Sequence, residues 1–116
     1  MEKTLYYYRA KIIDVYDGDT VTAHIDLGFN IGITERFRLL GINTPELRGE
    51  EREKGLVSRD AVREKILNKP VTIKTEKDKK GKYGRYLGVI FLEENGESIN
   101  INEWIVTEGY GVAHEY

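Results

Sequence analysis

Apolar and polar residues alternate along much of this chain, and the period changes once in the middle. The segment Arg9-Ala10-Lys11-Ile12-Ile13-Asp14-Val15 is rich in β-formers and runs into the turn pair Asp17-Gly18. Beyond it, Val21, Ala23, Ile25 and Leu27 alternate with Thr20, Thr22, His24 and Asp26, the pattern of a half-buried strand. The two segments predict an antiparallel hairpin. After Gly28 and Gly32, Glu35-Arg36-Phe37-Arg38-Leu39-Leu40 predicts a third strand. Asn43-Thr44-Pro45-Glu46 then breaks the pattern, and the charged stretch from Arg48 to Lys54 predicts a surface loop. From Gly55, Val57, Ala61, Val62, Ile66 and Leu67 recur every three or four residues, an amphipathic helix ending near Asn68 and Pro70. Val71-Thr72-Ile73-Lys74-Thr75 alternates again. A loop of glycines and lysines, Lys77 to Gly84, leads to Tyr86-Leu87-Gly88-Val89-Ile90-Phe91-Leu92, apolar on both faces. Asn95-Gly96 predicts a turn, and Asn102 a cap for a short helix through Trp104, Ile105 and Val106 ending at Gly109.

Three strands, a helix, two strands and a helix are the element order of an OB-fold: an α+β domain with a five-stranded antiparallel Greek-key barrel and about two helices. The 116 residues, 40% of them hydrophobic, make one domain over 1–116 with a core of its own. No run of about 18 apolar residues is present, so no membrane partner is expected. The opening Met-Glu-Lys-Thr-Leu-Tyr-Tyr-Tyr lacks the apolar stretch of a signal peptide, which predicts a cytoplasmic protein if the chain is complete. With no cysteine, a disulfide scaffold, a thiol nucleophile and cysteine-ligated zinc are excluded.

The net charge of −2 hides an asymmetry. Residues 1–92 hold all 18 Lys and Arg against 14 of the 20 acids, a net of +4, and residues 93–116 hold the other six acids and no base. A polyanionic partner is therefore compatible with the low pI. Asp19 shares the parity of Val21 and Ala23, Arg38 that of Leu40 and Ile42, and Arg85 that of Leu87 and Val89, which places three charges at the ends of apolar strand faces. Isolated buried charges cost several kcal/mol, so each needs a partner. An ordinary reading remains open for each motif: Asp17-Gly18-Asp19-Thr20 as a turn with an extra acid, Arg38 as the ion-pair partner of Asp19 or Glu46, and Glu46 as an acid in a first helical turn after Pro45.

Taken together, Asp17-Gly18-Asp19-Thr20, Phe37-Arg38-Leu39-Leu40-Gly41-Ile42-Asn43-Thr44-Pro45-Glu46, Lys82-Tyr83-Gly84-Arg85 and Asn102-Glu103 resemble the staphylococcal nuclease (thermonuclease) family in order and spacing, over roughly residues 10–116. The resemblance implies an OB-fold, calcium-dependent nuclease that cuts DNA and RNA and leaves 3′-phosphate ends. It implies one Ca²⁺, held by the Asp19 carboxylate, the Thr44 carbonyl and Asn43. Asn43 stands where the family usually has an Asp, so the ion would be held more weakly, because an amide oxygen can ligate but brings no charge. Arg38 and Arg85 match the arginines that grip the scissile phosphate, and Glu46 matches the carboxylate that orients or deprotonates the attacking water. Lys82 and Tyr83 resemble a substrate-contacting pair, and Tyr116 is a candidate for stacking on a base. The partner expected is nucleic acid, DNA or RNA, and the chain is expected to be a monomer.

Two other function classes fit the sequence. A catalytically weak or inactive OB-fold that only binds nucleic acid is suggested by Asn43, and a small structural or protein-binding domain leaves the strand-end arginines unexplained. The loop Lys77 to Arg85, with its five positive charges on Lys77, Lys79, Lys80, Lys82 and Arg85, reads as a solvated segment or as phosphate steering. Trp104 reads as core, and a zinc role for His24 is disfavoured because no second histidine is near it in sequence. Tyr6-Tyr7-Tyr8 is open between a strand start, an interface and a nucleic-acid contact.

Overall fold

The computed structural model describes residues 6–77 and 86–115. Its elements are β1 (Tyr7–Asp17), β2 (Thr20–Asp26), β3 (Gly32–Leu39), β4 (Ile42–Asn43), α1 (Arg52–Ile66), β5 (Pro70–Lys77), β6 (Tyr86–Glu94), β7 (Glu97–Asn100), α2 (Ile101–Thr107) and β8 (Val112–Ala113). The alternation read from sequence becomes a meander, β1 pairing with β2 (Ala10↔Ile25) and β2 with β3 (Val21↔Phe37). The free side of β1 then takes β5 (Ala10↔Val71), and β5 pairs with β6. A short parallel contact, Phe37↔Tyr86 to Leu39↔Gly88, closes β3 on β6. The product is a closed, mixed five-stranded barrel with two helices, in line with the expected OB-type fold. Among the described residues only that last contact departs from antiparallel pairing.

The inward rows of the strands fill the barrel: Ile12, Val15, Val21, Ala23, Leu39, Ile73 and Ile90 are fully buried. Val62 and Ile66 of α1 join the same cluster with Ile101 and Ile105 of α2. Each such side chain contributes about 1.5–3 kcal/mol, so the barrel interior and two helix faces supply the driving force. Asn68 ends α1 in the left-handed region (φ 62), its N–H donating to Ile12 O at 2.7 Å, and Pro70 starts the next strand. The helix stop expected near Asn68 and Pro70 is thus built from those two residues.

Three expectations change. The stretch from Arg48 to Lys54 is not all loop: a single 3₁₀ turn, Gly49–Glu51, runs into α1, which begins at Arg52. Its charged side chains are exposed, and acids at a helix start are favoured by the dipole, so polarity there marks a first turn. Asn100 rather than Asn102 caps α2, accepting from Glu103 N at 3.1 Å. The small strands β4, β7 and β8 give no legible alternation because none exceeds four residues.

Asn102 has a different task. It is buried on α2, donates through Nδ2 to Leu40 O (2.9 Å) and Gly88 O (3.0 Å), and accepts from Ile90 N at 3.2 Å. One amide therefore satisfies three backbone groups at the junction of β6 and the turn after β3. Asn102→Ala is expected to destabilise the fold by between about 1 and 2 kcal/mol, because Leu40 O and Ile90 N lose the amide in a poorly hydrated place while Gly88 O keeps its bond from Leu40 N (3.0 Å). Urea denaturation measures this, and a midpoint unchanged from wild type would show that water replaces the amide without cost.

Candidate active site

The turn between β1 and β2 carries the acids. Asp17 accepts from Asp19 N at 3.1 Å, which folds the turn onto itself and aims the Asp19 carboxylate away from solvent, where only 8% of the residue remains exposed. Its Oδ1 accepts from the Thr20 hydroxyl (3.2 Å) and its Oδ2 from Thr44 N (2.9 Å). Arg38 Nη1 stands 2.7 Å from Asp19 Oδ2, a charge contact rather than a hydrogen bond since the N–H is out of line. Arg38 Nη2 donates to Asn43 Oδ1. The guanidinium thus bridges Asp19 and Asn43.

Arg38 does not lie on the core row of β3. The buried residues there are Phe37 and Leu39, and Arg38 is paired with Thr20 on the other face. Counting back from Ile42 misleads because Gly41, at φ +82, turns the chain between it and the strand, and Leu40, which shares the face of Arg38, is only half-buried. Asp19 also sits in the turn rather than in β2. Both charges are nonetheless largely buried and paired, as the cost of isolated charge requires.

Asn43, Thr44, Pro45 and Glu46 face this turn from the other side, held by β4–β8 pairing (Asn43↔Val112) and by α1. Together the two segments and Gly109–Val112 enclose an open cleft of about 600 Å³. Asp19, Arg38, Asn43, Thr44 and Glu46 all line it, with Glu46 exposed on the rim. The Thr44 hydroxyl is buried beside it with no hydrogen-bond partner among the described residues. Lys82, Tyr83, Arg85 and Tyr116 lie outside the described residues. His24 lies on the outer face, its Nδ1 3.0 Å from Thr34 Oγ1, and Trp104 packs partly buried against Tyr110, 5.7 Å between ring centroids.

Asp17, Glu51 and Tyr110 also line the cleft, with no place among the residues expected from sequence. Asp17 was legible in principle, two residues from Asp19 in the same turn. Burial and the neighbouring Asp19 push its carboxyl up to about 6. For Asp19 burial acts upward too, but the hydrogen bond with Asp17, the Thr44 N–H and the Arg38 charge outweigh it, and its carboxyl is held below the usual range. A proton on this pair therefore resides on Asp17, and Asp19 keeps its charge. Chemically the cleft offers an ionised carboxylate, neutral oxygens, a planar cation and a solvent-facing acid, a set suited to a phosphate and a hard cation.

Among the described residues no helix is long and apolar enough to cross a membrane. The uncharacterized protein MJ1439 of Methanocaldococcus jannaschii is 31% identical over 125 residues, covering 90% of this chain and 58% of that protein. The Thermonuclease of Staphylococcus hyicus is 29% identical over 109 residues, covering 91% of this chain and 59% of that one. The chain thus spans somewhat under three-fifths of the length of these curated relatives. The family described as Staphylococcal nuclease homologue matches residues 36–116, which include Arg38, Asn43, Thr44 and Glu46. That match takes in well over half of the sequence, and the chain belongs to the staphylococcal nuclease family.

Proposed function

We propose that this protein is a metal-dependent nuclease that hydrolyses phosphodiester bonds of DNA or RNA and leaves 3′-phosphate ends. The observation that carries the reading is the convergence of Arg38, Asp19, Asn43, Thr44 and Glu46 on one open cleft. In the proposed reaction the planar fork of Arg38 takes two oxygens of the scissile phosphate and stabilises the charge that builds on them. Glu46, exposed at the rim, accepts a proton from the attacking water as the new P–O bond forms. The bond to the 5′ oxygen breaks in line, that oxygen takes a proton from solvent, and the phosphate stays on the 3′ side. Arg85 and Lys82 are proposed to hold the same and a flanking phosphate, with Tyr83 and Tyr116 contacting the substrate.

Calcium is the cation proposed. Among the described residues no three acidic, histidine or cysteine side chains cluster to hold an ion, so a site here depends on neutral oxygens as well. Those present fit a hard cation: Asp19, Asn43 Oδ1 and Thr44 share the cleft with Asp17, whose carboxyl is pushed up first by burial and then by the neighbouring Asp19. Asp19, Asn43 and the Thr44 carbonyl would hold it, and the chemistry available from it is charge neutralisation and templating of the phosphate. Asn43→Asp is expected to tighten calcium binding by roughly 10-fold or more, since a charge is added among the ligands. Calorimetric titration of the protein with calcium alone reads this, and an unchanged or weaker affinity would remove Asn43 from the ligand set.

The test of function is linear DNA incubated with the protein with and without calcium, followed by end-group analysis. Cleavage that requires calcium and yields 3′-phosphates supports the reading, and absence of cleavage in calcium, magnesium and manganese alike sinks it. The neutral Asn43, already engaged by Arg38, favours one alternative, a domain that binds nucleic acid without cutting it. On that reading oligonucleotide affinity survives chelation and falls with salt.

A further inference from the structure

The far end of the barrel carries a surface that the cleft chemistry does not use. Residues 27–34, Leu-Gly-Phe-Asn-Ile-Gly-Ile-Thr, contain no charge in a chain that is 33% charged, and they form the tip of the β2–β3 hairpin. There Leu27, Phe29, Ile31 and Ile33 are exposed by 40%, 96%, 57% and 44%. Phe29 and Asn30 both lie in the left-handed region, φ 55 and 60. That conformation is unfavourable for a bulky aromatic, and it holds the ring out in water instead of folding it onto the sheet. Beside the tip lies an apolar groove of about 260 Å³, its lining including Tyr6, Tyr8, Ile25, Ile33, Phe37 and Tyr86. A cavity of ~150 Å³ already accepts benzene, so the groove has room for a phenyl ring.

We propose that this face is where a second copy of the chain docks, each copy inserting Phe29 into the other's groove. A two-fold interface requires a patch that is complementary to itself, and here a projecting ring and a recess of suitable size lie on one face. With Tyr6 at 63% and Tyr86 at 39% exposure, and about 150–250 Å² for a large side chain, roughly 600 Å² of apolar surface is available per copy. Two such faces cover on the order of 1,200 Å², the lower edge of stable specific interfaces. The uncharged tip offers nothing for phosphates or anionic lipid headgroups, which want Lys and Arg. Glu35 also lines the groove, and Asn30, adjacent to Phe29, brings an amide donor to it from the partner. Asp26↔Gly32 marks the tip end of the hairpin and Thr20↔Arg38 the cleft end, six residues or about 20 Å apart, so both clefts stay open. This departs from the monomer expected from sequence and is independent of the nuclease reading.

Sedimentation equilibrium across the micromolar range tests it. The wild-type chain is expected to reach twice 13.4 kDa reversibly as concentration rises. Phe29→Asn removes the ring but suits a left-handed backbone, so it is expected to be monomeric at the same concentrations with an unchanged or higher melting temperature. Ile33→Lys, at the groove, is expected to do the same without touching the projecting ring. A wild-type chain that stays monomeric throughout, or a dimer indifferent to Phe29→Asn, overturns the proposal. So does a monomer whose oligonucleotide affinity drops with Phe29→Asn, which would assign the surface to nucleic acid.

Discussion

Arg38→Gln is expected to lower cleavage of linear DNA by roughly 10²- to 10³-fold, the usual loss when a fixed donor to a developing oxyanion is removed. The reason lies in what Arg38 does before substrate arrives. Its guanidinium is anchored between Asp19 Oδ2 and Asn43 Oδ1 in a cleft where only 14% of its side chain is exposed. Both nitrogens of its fork already stand in the cleft, and on the proposed reading they exchange these two oxygens for those of the phosphate. Arg38→Lys is not expected to rescue the rate, because an ammonium cannot present two parallel donors to one phosphate. The same substitution acts on stability. Asp19 stays ionised partly through Arg38, so Arg38→Gln leaves a buried carboxylate short of a partner, at a cost of about 2 kcal/mol. The sign of the pH dependence follows. A depressed carboxylate contributes stability above its unfolded pKa and loses it as pH falls through the folded pKa. The gap between wild type and variant, measured by urea denaturation in chelator, is therefore expected to be widest near neutrality and to close below the ordinary carboxylate range. A cleavage rate within about threefold of wild type would show that Arg38 only pairs with Asp19.

How much of this was readable in the chain depends on the length of its elements. The strands of the barrel were legible because their alternation runs for five residues or more, and α1 because its apolar spacing covers several turns. Asp19, Arg38, Asn43, Thr44 and Glu46 could be singled out as residues, and it is the fold that sets them around one cleft. What was not legible is how they face one another. The bridge from Arg38 to Asn43 depends on the reversal at Gly41, which parity cannot see. The cap exchange between Asn100 and Asn102 depends on carbonyls of Leu40 and Gly88 that are remote in sequence from α2. The uncharged run 27–34 was visible in the sequence, yet alternation alone assigns such residues to a core. Only the position of the hairpin tip, beyond the paired strands, shows that among the described residues they stay exposed.

Gly55 shows the same point in its sharpest form, and Gly55→Ala is expected to be harmful where helix propensity says it should help. In an exposed helix interior the change stabilises by about 1 kcal/mol. Here Gly55 is buried on α1 against the segment that carries Glu46. A Cβ there would overlap Glu46 O and fall 2.8 Å from Glu46 C and 2.9 Å from Pro45 O. These are backbone atoms and cannot swing aside as a side chain would. Either α1 lifts from the barrel, exposing Val62 and Ile66, or the Pro45–Glu46 backbone moves toward the cleft. The second route is resisted as well, since Thr44 N is bonded to Asp19 and Asn43 is paired with Val112. Overpacking of this kind outweighs the propensity gain and is expected to cost about 2 kcal/mol net, a fall in melting temperature of roughly 5–10 °C. Cleavage is expected to fall further than the loss of folded protein accounts for. A displacement near 1 Å of a group that must meet a water costs about 10²-fold, measured at a temperature where the variant is fully folded. Lys54→Ala, one residue away on the exposed side of α1, should leave both quantities unchanged. If Gly55→Ala melts at or above the wild-type temperature and cuts at the wild-type rate, the tight approach of α1 to Glu46 does not position this carboxylate.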